Sequence, residues 1–247
     1  MNRFFVEKRN IGKEAIKITD NDDVRHLVSV LRLCPGEDVF ISDGEGGGYI
    51  TKIEKIDKNS VVLKIKDAQK RRQKSESKII VTLACAIPKN ARFARFEDII
   101  DKAAQLGVSE IIPLLTERTL IESGTFDKRR ERFKRIIIAA ASQSGVLFLP
   151  ELRETTPFED LISRLGQYEL RLLPNLSDRS HTLREVVSGF TGKKILVLIG
   201  PEGDFTKHEI EAALSLGCVG VSLGDSVLRV DTAAISVVSF LRLYFGG

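Results

Sequence analysis

The chain changes its hydrophobic rhythm once. Through residues 1–66 apolar and polar positions alternate in short runs: "RFFVE", "AIKIT", "DVFISDG", "GYITKIEKI" and "SVVLKIK". A period of two over β-branched residues predicts strands. Asp43-Gly44 and the glycines at 46–48 punctuate them as turns. One insert, "DDVRHLVSVLRL", sets Val24, Leu27, Val28 and Leu31 on one helical face, and Pro35-Gly36 ends it. These elements predict a small β-barrel with one helix.

"KDAQKRRQKSESK" then carries no hydrophobic period and reads as a charged linker, with a basic centre from Lys70 to Arg72. From Ile79 onward, buried runs alternate with helical ones. "IIVTLACAI", "IIPLL", "LRLLP", "KILVLIG" and "VGVSLG" read as strands. Between them, Phe93, Phe96, Ile100 and Ala103 share one helix face, stopped by Gly107. Phe133, Ile136, Ile137 and Ala140 share another, ending near Gly145. Thr156 to Glu159 reads as a capping box with proline at the first helical position. Thr182 with Glu185, and Thr206 with Glu209, read as two more caps. An apolar helix closes the chain from about Thr232 to Tyr244. Strand–helix alternation predicts a mostly parallel sheet with helices on both faces. The expected organisation is a barrel over 1–70, a linker over 71–78 and an α/β domain over 79–247.

Composition narrows the class. Of 247 residues, 43% are hydrophobic and 29% charged, which suits a packed core. Cys34, Cys85 and Cys218 lie far apart without a CxxC pair, so zinc and redox motifs are not indicated. His26, His181 and His208 are not at metal-ligand spacing, and no metal is expected. No signal-peptide core opens the chain and no apolar run is long enough to span a bilayer, which predicts a cytoplasmic protein. The net charge is +4, and residues 1–75 hold 16 basic against 12 acidic residues, so the excess lies in the first part of the chain. A basic bias there can guide an anionic polymer, although a solvated surface carries the same signature.

Candidate chemistry sits in three loops after strands: "LLPNLSD", "IGPEGDF" and "LGDSVLRVDTAA". Ligands of open α/β sheets bind outside the carboxyl ends of strands. Gly200 and Gly203 would let a flat ligand lie against main chain, though a strand-to-helix turn also favours glycine. Glu202 and Asp204 would repel a pyrophosphate, and neither GxGxxG nor a P-loop lysine occurs. A phosphate-free donor with positive charge, such as S-adenosylmethionine, fits better. The same acids would also stabilise the N-terminus of the following helix.

"LIGPEGDFTKHEIEAA" followed by "VSLGDSVLRVDTAA" resembles the paired motifs of the small-subunit ribosomal RNA uridine-N3 methyltransferase family, of the SPOUT class. "HLVSVLRLCPGEDVFISDGEG" resembles that family's PUA-like RNA-binding barrel, and the likeness runs along the whole chain. The resemblance implies a trefoil-knotted α/β domain, a homodimer, S-adenosylmethionine as cofactor and a target base entering near the partner subunit. It implies a pocket lined by Leu173, Pro174 and Asn175, by Ile199, Gly200, Pro201, Glu202 and Gly203, and by Ser222, Leu223, Gly224, Val227, Leu228 and Thr232. Arg229 would stand nearest the reacting base, with Glu202 or Asp231 as proton acceptor. A salt bridge from Arg229 to Asp231 or Asp225 is the structural alternative.

Arg3, Arg25, Arg32, Arg71 and Arg72 are the candidate contacts to RNA phosphates, with Arg32 equally able to pair with Asp38 or Asp43. The chain departs from the family at Asp204, where a second glycine is usual, and at Asp231, usually glutamate. Ser142 and Val146 stand where glutamate and arginine are common. A non-catalytic ribosome-assembly protein on the same fold, or an enzyme acting on another RNA atom, are the competing expectations.

Overall fold

A computed structural model describes residues 1–69, 79–87, 93–119, 124–175 and 181–246. Arg71, Arg72 and the expected linker therefore lie outside the described residues. The chain forms two compact units. The first holds the described residues up to 69 together with Ala141–Leu149, and the second holds those from 79 to Ala140 and from Pro150 onward.

In the first unit, β1 (Asn2–Phe5), β2 (Ala15–Ile18), β3 (Asp38–Ser42), β4 (Gly48–Asp57) and β5 (Ser60–Gln69) form one sheet in the order β1-β3-β4-β5-β2. It is a PUA-like half-barrel sheet. The alternation seen in the sequence sets its faces: Ile16, Leu63 and Ile53 stand side by side on paired strands, almost wholly buried. The helical insert is α1 (Asn21–Arg25), N-capped by Asp20, and it continues as a π-helical turn over His26–Val30. Val24 and Leu27 are buried as the spacing predicts. The element ends before Pro35, because Arg32 already takes a left-handed φ of 54°. The glycine-rich turn is shaped by Asp43, whose carboxylate accepts the amides of Glu45 and Gly47, both at 2.8 Å. Residues 145–149 pack along it: Gly46 N–H donates to the Leu147 carbonyl and Leu149 N–H to that of Gly44. A Cβ on Gly44 would meet the Leu149 side chain at 2.9 Å.

The second unit contains β6 (Ile80–Ala86), β7 (Glu110–Leu115), β8 (Glu151–Leu152), β9 (Thr156–Pro157), β10 (Leu170–Pro174), β11 (His181–Thr182), β12 (Lys194–Ile199) and β13 (Val219–Ser222). Its sheet runs β11-β13-β10-β12-β6-β7-β8, with β9 also on β7, and every pairing is parallel. Consecutive residues of β6 and β12 are buried, which means that both faces of the central strands are covered. The helices are α2 (Phe93–Gln105), α3 (Arg130–Ser144), α4 (Phe158–Ile162), α5 (Leu183–Ser188), α6 (Lys207–Ser215) and α7 (Val230–Phe245).

α7 buries Ala234, Val237, Val238 and Leu241 on one stripe and packs on α2, β12 and β6. Phe93, Phe96, Phe126 and Phe133 form a ring cluster with centroids 4.7–6.2 Å apart. Each such pair adds about 1 kcal/mol beyond its buried area.

The capping boxes at Thr182 and Thr206 form as the spacing predicts. The one expected at Thr156 does not. Pro157 is the N-cap of α4 without a side-chain bond, and the Thr156 hydroxyl donates instead to the Glu154 carbonyl. Thr156 is held extended by pairing with β7, so the sheet takes the residue that local sequence offered to the helix. Among the described residues, no helix is long and apolar enough to cross a membrane.

Candidate active site

β13, β10, β12 and β6 are consecutive neighbours in the sheet, so their carboxyl ends lie along one edge about 5 Å apart. Register fixes which residues meet there: Pro174 lies beside Val221, and Ile199 beside Cys85. The three loops singled out in sequence therefore leave adjacent strands. Leu173 is wholly buried in an apolar cluster with Phe158, Leu198 and Phe205, so it faces the core. Asn175 is buried, and its N–H donates to the Val221 carbonyl at 3.1 Å, extending the pairing one step beyond β10.

The second loop is bracketed by two buried residues, Ile199 and Phe205. A Cβ on Gly200 would lie 2.9 Å from Asp204 Oδ1 and 3.0 Å from the Phe205 amide nitrogen, so its glycine serves the loop's own closure. Gly203 and Asp204 both take positive φ, 113° and 65°. Asp204 thus occupies a left-handed position that glycine adopts without cost, and its carboxylate accepts the Phe205 N–H at 2.8 Å. Burial pushes the Asp204 carboxyl pKa up.

In the third loop, Gly224 has φ 111° with open space beside it, and its N–H donates to the Ser222 hydroxyl. Leu223 and Leu228 are half-buried, whereas Val227 is 80% exposed. Thr232 is exposed in the first turn of α7.

Charged groups at this edge come in pairs. Arg95 Nη1 donates to Glu202 Oε1 at 3.2 Å. Arg229, 62% exposed, places Nε 3.3 Å from Asp231 Oδ1, so the structural alternative foreseen for Arg229 exists. That contact lacks hydrogen-bond geometry, and Asp231 Oδ1 is buried without a hydrogen bond among the described residues. The thiol of Cys85 at the end of β6 is pushed far above its ordinary range, first by burial, then by the carboxylates of Glu202 and Asp231. Cys85 is consequently a neutral, wholly buried residue at the strand ends.

Sequence reading missed Arg95, Arg118 and Cys85. Arg118 follows β7, and its guanidinium donates to the carbonyls of Gly203, Asp204 and Phe205. The strand-end rule that selected the other loops, applied to "IIPLLTER", would have found it. Among the described residues no cluster of potential metal ligands occurs.

The basic candidates of the first unit stand elsewhere. Arg3 lies over the Phe40 ring at 4.6 Å and donates to the Gly145 carbonyl at 3.5 Å. Arg25 and Arg32 are exposed. Neither alternative partner holds Arg32: Asp38 pairs with Lys66 at 2.7 Å, and Asp43 is taken by its own turn.

Residues 75–242 match the RNA methyltransferase domain family, and residues 18–66 match the RNA methyltransferase PUA domain family. The chain belongs to the ribosomal RNA small subunit methyltransferase E family. A relative of that name from Synechocystis is 31% identical over 94% of this chain and 74% of its own. A putative methyltransferase from Legionella pneumophila, solved in complex with bound SAM, is 29% identical with a TM-score of 0.85, covering 98% of this chain and 97% of its own. The Neisseria gonorrhoeae ribosomal RNA small subunit methyltransferase E, solved bound to S-adenosyl methionine, is 25% identical with a TM-score of 0.86, covering 99% of this chain and 98% of its own.

Proposed function

We propose that this protein methylates N3 of a uridine in small-subunit ribosomal RNA, with S-adenosylmethionine as donor held at the carboxyl ends of β13, β10 and β12. Family membership supplies the reaction class. The observation that carries the assignment to this edge is that the loops leaving β10, β12 and β13 start side by side, with the buried Asp231 Oδ1 accepting no hydrogen bond there among the described residues. The buried, unbonded Asp231 Oδ1 is an acceptor that a donor group on either reactant would satisfy. Gly203, Gly224 and the exposed Val227 leave main chain and apolar surface for an adenosine.

S-adenosylmethionine, when bound, supplies an electrophilic methyl on a positively charged sulfur. The chain's task is to hold N3 in line with that methyl and to remove the N3 proton. Arg229 is exposed at the N-cap of α7, so its side chain has room to turn onto a uracil oxygen and stabilise charge that develops there. The same movement uncovers Asp231 Oδ1. Glu202 is engaged by Arg95, which favours Asp231 over Glu202 as proton acceptor. Uridine N3 lies on the pairing edge, so the target base is unpaired or flipped out.

Arg25 and Arg32 of the half-barrel meet flanking phosphates. A homodimer and a C-terminal trefoil knot complete the reading, both following from the family resemblance. The exposed Leu243 is apolar surface that a second copy would cover. Mass mapping of small-subunit RNA from a deletion strain, before and after incubation with purified protein and S-adenosylmethionine, tests the activity. One uridine should gain a methyl at N3. A methyl at a ribose hydroxyl or on another base would refute the assignment.

A further inference from the structure

Asp204 holds a backbone conformation that side chains disfavour, in the middle of the loop read above as the donor cradle. Its hydrogen bond to the Phe205 amide is local and cannot fix where the loop stands relative to the sheet. What does so comes from the neighbouring strand-end turn at Thr116–Thr119. That turn is closed on itself by the Thr116 amide donating to the Thr119 hydroxyl and the Thr119 amide donating to the Thr116 carbonyl. From it, Arg118 Nη1 reaches three successive carbonyls, of Gly203, Asp204 and Phe205.

A second tie lies one residue away. The Glu117 N–H donates to Glu209 Oε1 at 3.0 Å, and Glu209, 1% exposed, uses Oε2 to accept the Thr206 N–H at 2.7 Å. The Arg118 placement is costly on dipole grounds, since a cation at the N-terminal end of α6 is on its unfavourable side. Converging carbonyls of a turn with two positive φ values offset that cost.

We propose that Arg118 is a positioning residue for the methyl donor: by binding the carbonyls of 203–205 it holds the left-handed Gly203–Asp204 turn, and so the 199–204 wall, in the shape that receives S-adenosylmethionine. The inference rests on the reading of that wall as the donor cradle. Arg118 itself touches neither reactant. A glycine at 204 would take this turn without side-chain strain, whereas Asp204 makes it depend on the latch.

Calorimetry with S-adenosylmethionine and steady-state kinetics on Arg118→Ala, Arg118→Lys, Asp204→Gly and the Arg118→Ala/Asp204→Gly double variant test this. Arg118→Ala raises the donor Kd and KM by about tenfold, the size of a lost charge-assisted bond, while kcat at saturating donor changes by less than about threefold. Arg118→Lys falls between, because the shorter lysine stem keeps the charge but does not carry its ammonium as far as Nη1 stands. In the Asp204→Gly background, the further loss on removing Arg118 shrinks to about threefold or less, since the left-handed turn no longer opposes a side chain.

An unchanged donor Kd in Arg118→Ala, with normal binding by the unaltered protein, overturns the latch and leaves the cradle in place. So does a fall in kcat at fixed KM, or an equal loss in both backgrounds. Absence of donor binding by the unaltered protein overturns the cradle itself. If thermal melting shows Arg118→Ala unfolded, Arg118→Lys decides: its Kd rises, or the proposal fails.

Discussion

The arginines of the two units live differently. Around the strand-end loops of the α/β unit, Arg95 is committed to Glu202 and Arg118 to three carbonyls, while Arg229 stands beside Asp231 without hydrogen-bond geometry. On the half-barrel, Arg25 and Arg32 are exposed and form no ion pair with the described residues. Fixed, paired charge is what a site needs to orient a small donor and one base, because geometry there decides rate. Unpaired charge on flexible stems is what a surface needs to draw in a polyanion, because counterion release rewards number more than angle. Arg3 belongs to neither group: its place over Phe40 and against Gly145 makes it a strut within the first unit.

The contrast can be broken most sharply at Arg229. Arg229→Ala should lower turnover by about a hundredfold while the donor Kd stays within about threefold. Asp231→Asn should show a comparable loss, and a larger one than Glu202→Gln. Equal activity in all three would mean that the paired charges at the strand ends only order the loop.

Next in size is Glu209→Ala, which leaves the amides of Glu117 and Thr206 without their part-buried acceptor. It should cost about 2 kcal/mol in a denaturant titration. A cost near zero would show that the two strand-end turns are not tied through this carboxylate.

Removing Arg25 and Arg32 together should leave the donor Kd and saturated turnover alone and weaken RNA binding. The slope of log affinity against log salt should fall by about 0.7–0.9 per lost phosphate contact. An unchanged slope would remove them from the interface.

The smallest effect lies at Asp23, whose pKa is pushed up to about 6 by burial first and then by Asp20 and Asp22. A carboxyl with a raised folded pKa binds its proton more readily in the folded state, so stability falls as pH rises from about 4 to 6. Asp23→Asn should therefore melt a few degrees higher than the parent at pH 7.5 and at the same temperature near pH 4. A constant difference at every pH would remove titration as the cause.

Much of this was open to reading in the chain alone. Alternation of period two placed the five strands of the first sheet, and continuous apolar runs placed the buried strands of the second, because each pattern records how many faces of a strand meet the core. The caps at Thr182 and Thr206 were legible since a capping box is a contact between near neighbours. Thr156 shows where that legibility stops: its fate was decided by β7, some forty residues away in sequence.

Glycine-opened loops and the charge logic of Glu202 and Asp204 are likewise local and can be read from the motif. Order within the sheet is not local. That β13, β10, β12 and β6 are adjacent, and that Arg95 and Arg118 from distant segments close on the 199–205 loop, follow from pairing between segments with no shared sequence signature. The sequence by itself determined most of the elements and the family, since each depends on residues close along the chain. Only the tertiary structure decided that Arg95 pairs with Glu202 and that Arg118 holds the strained turn, since those groups meet across 107 and 85 residues of chain.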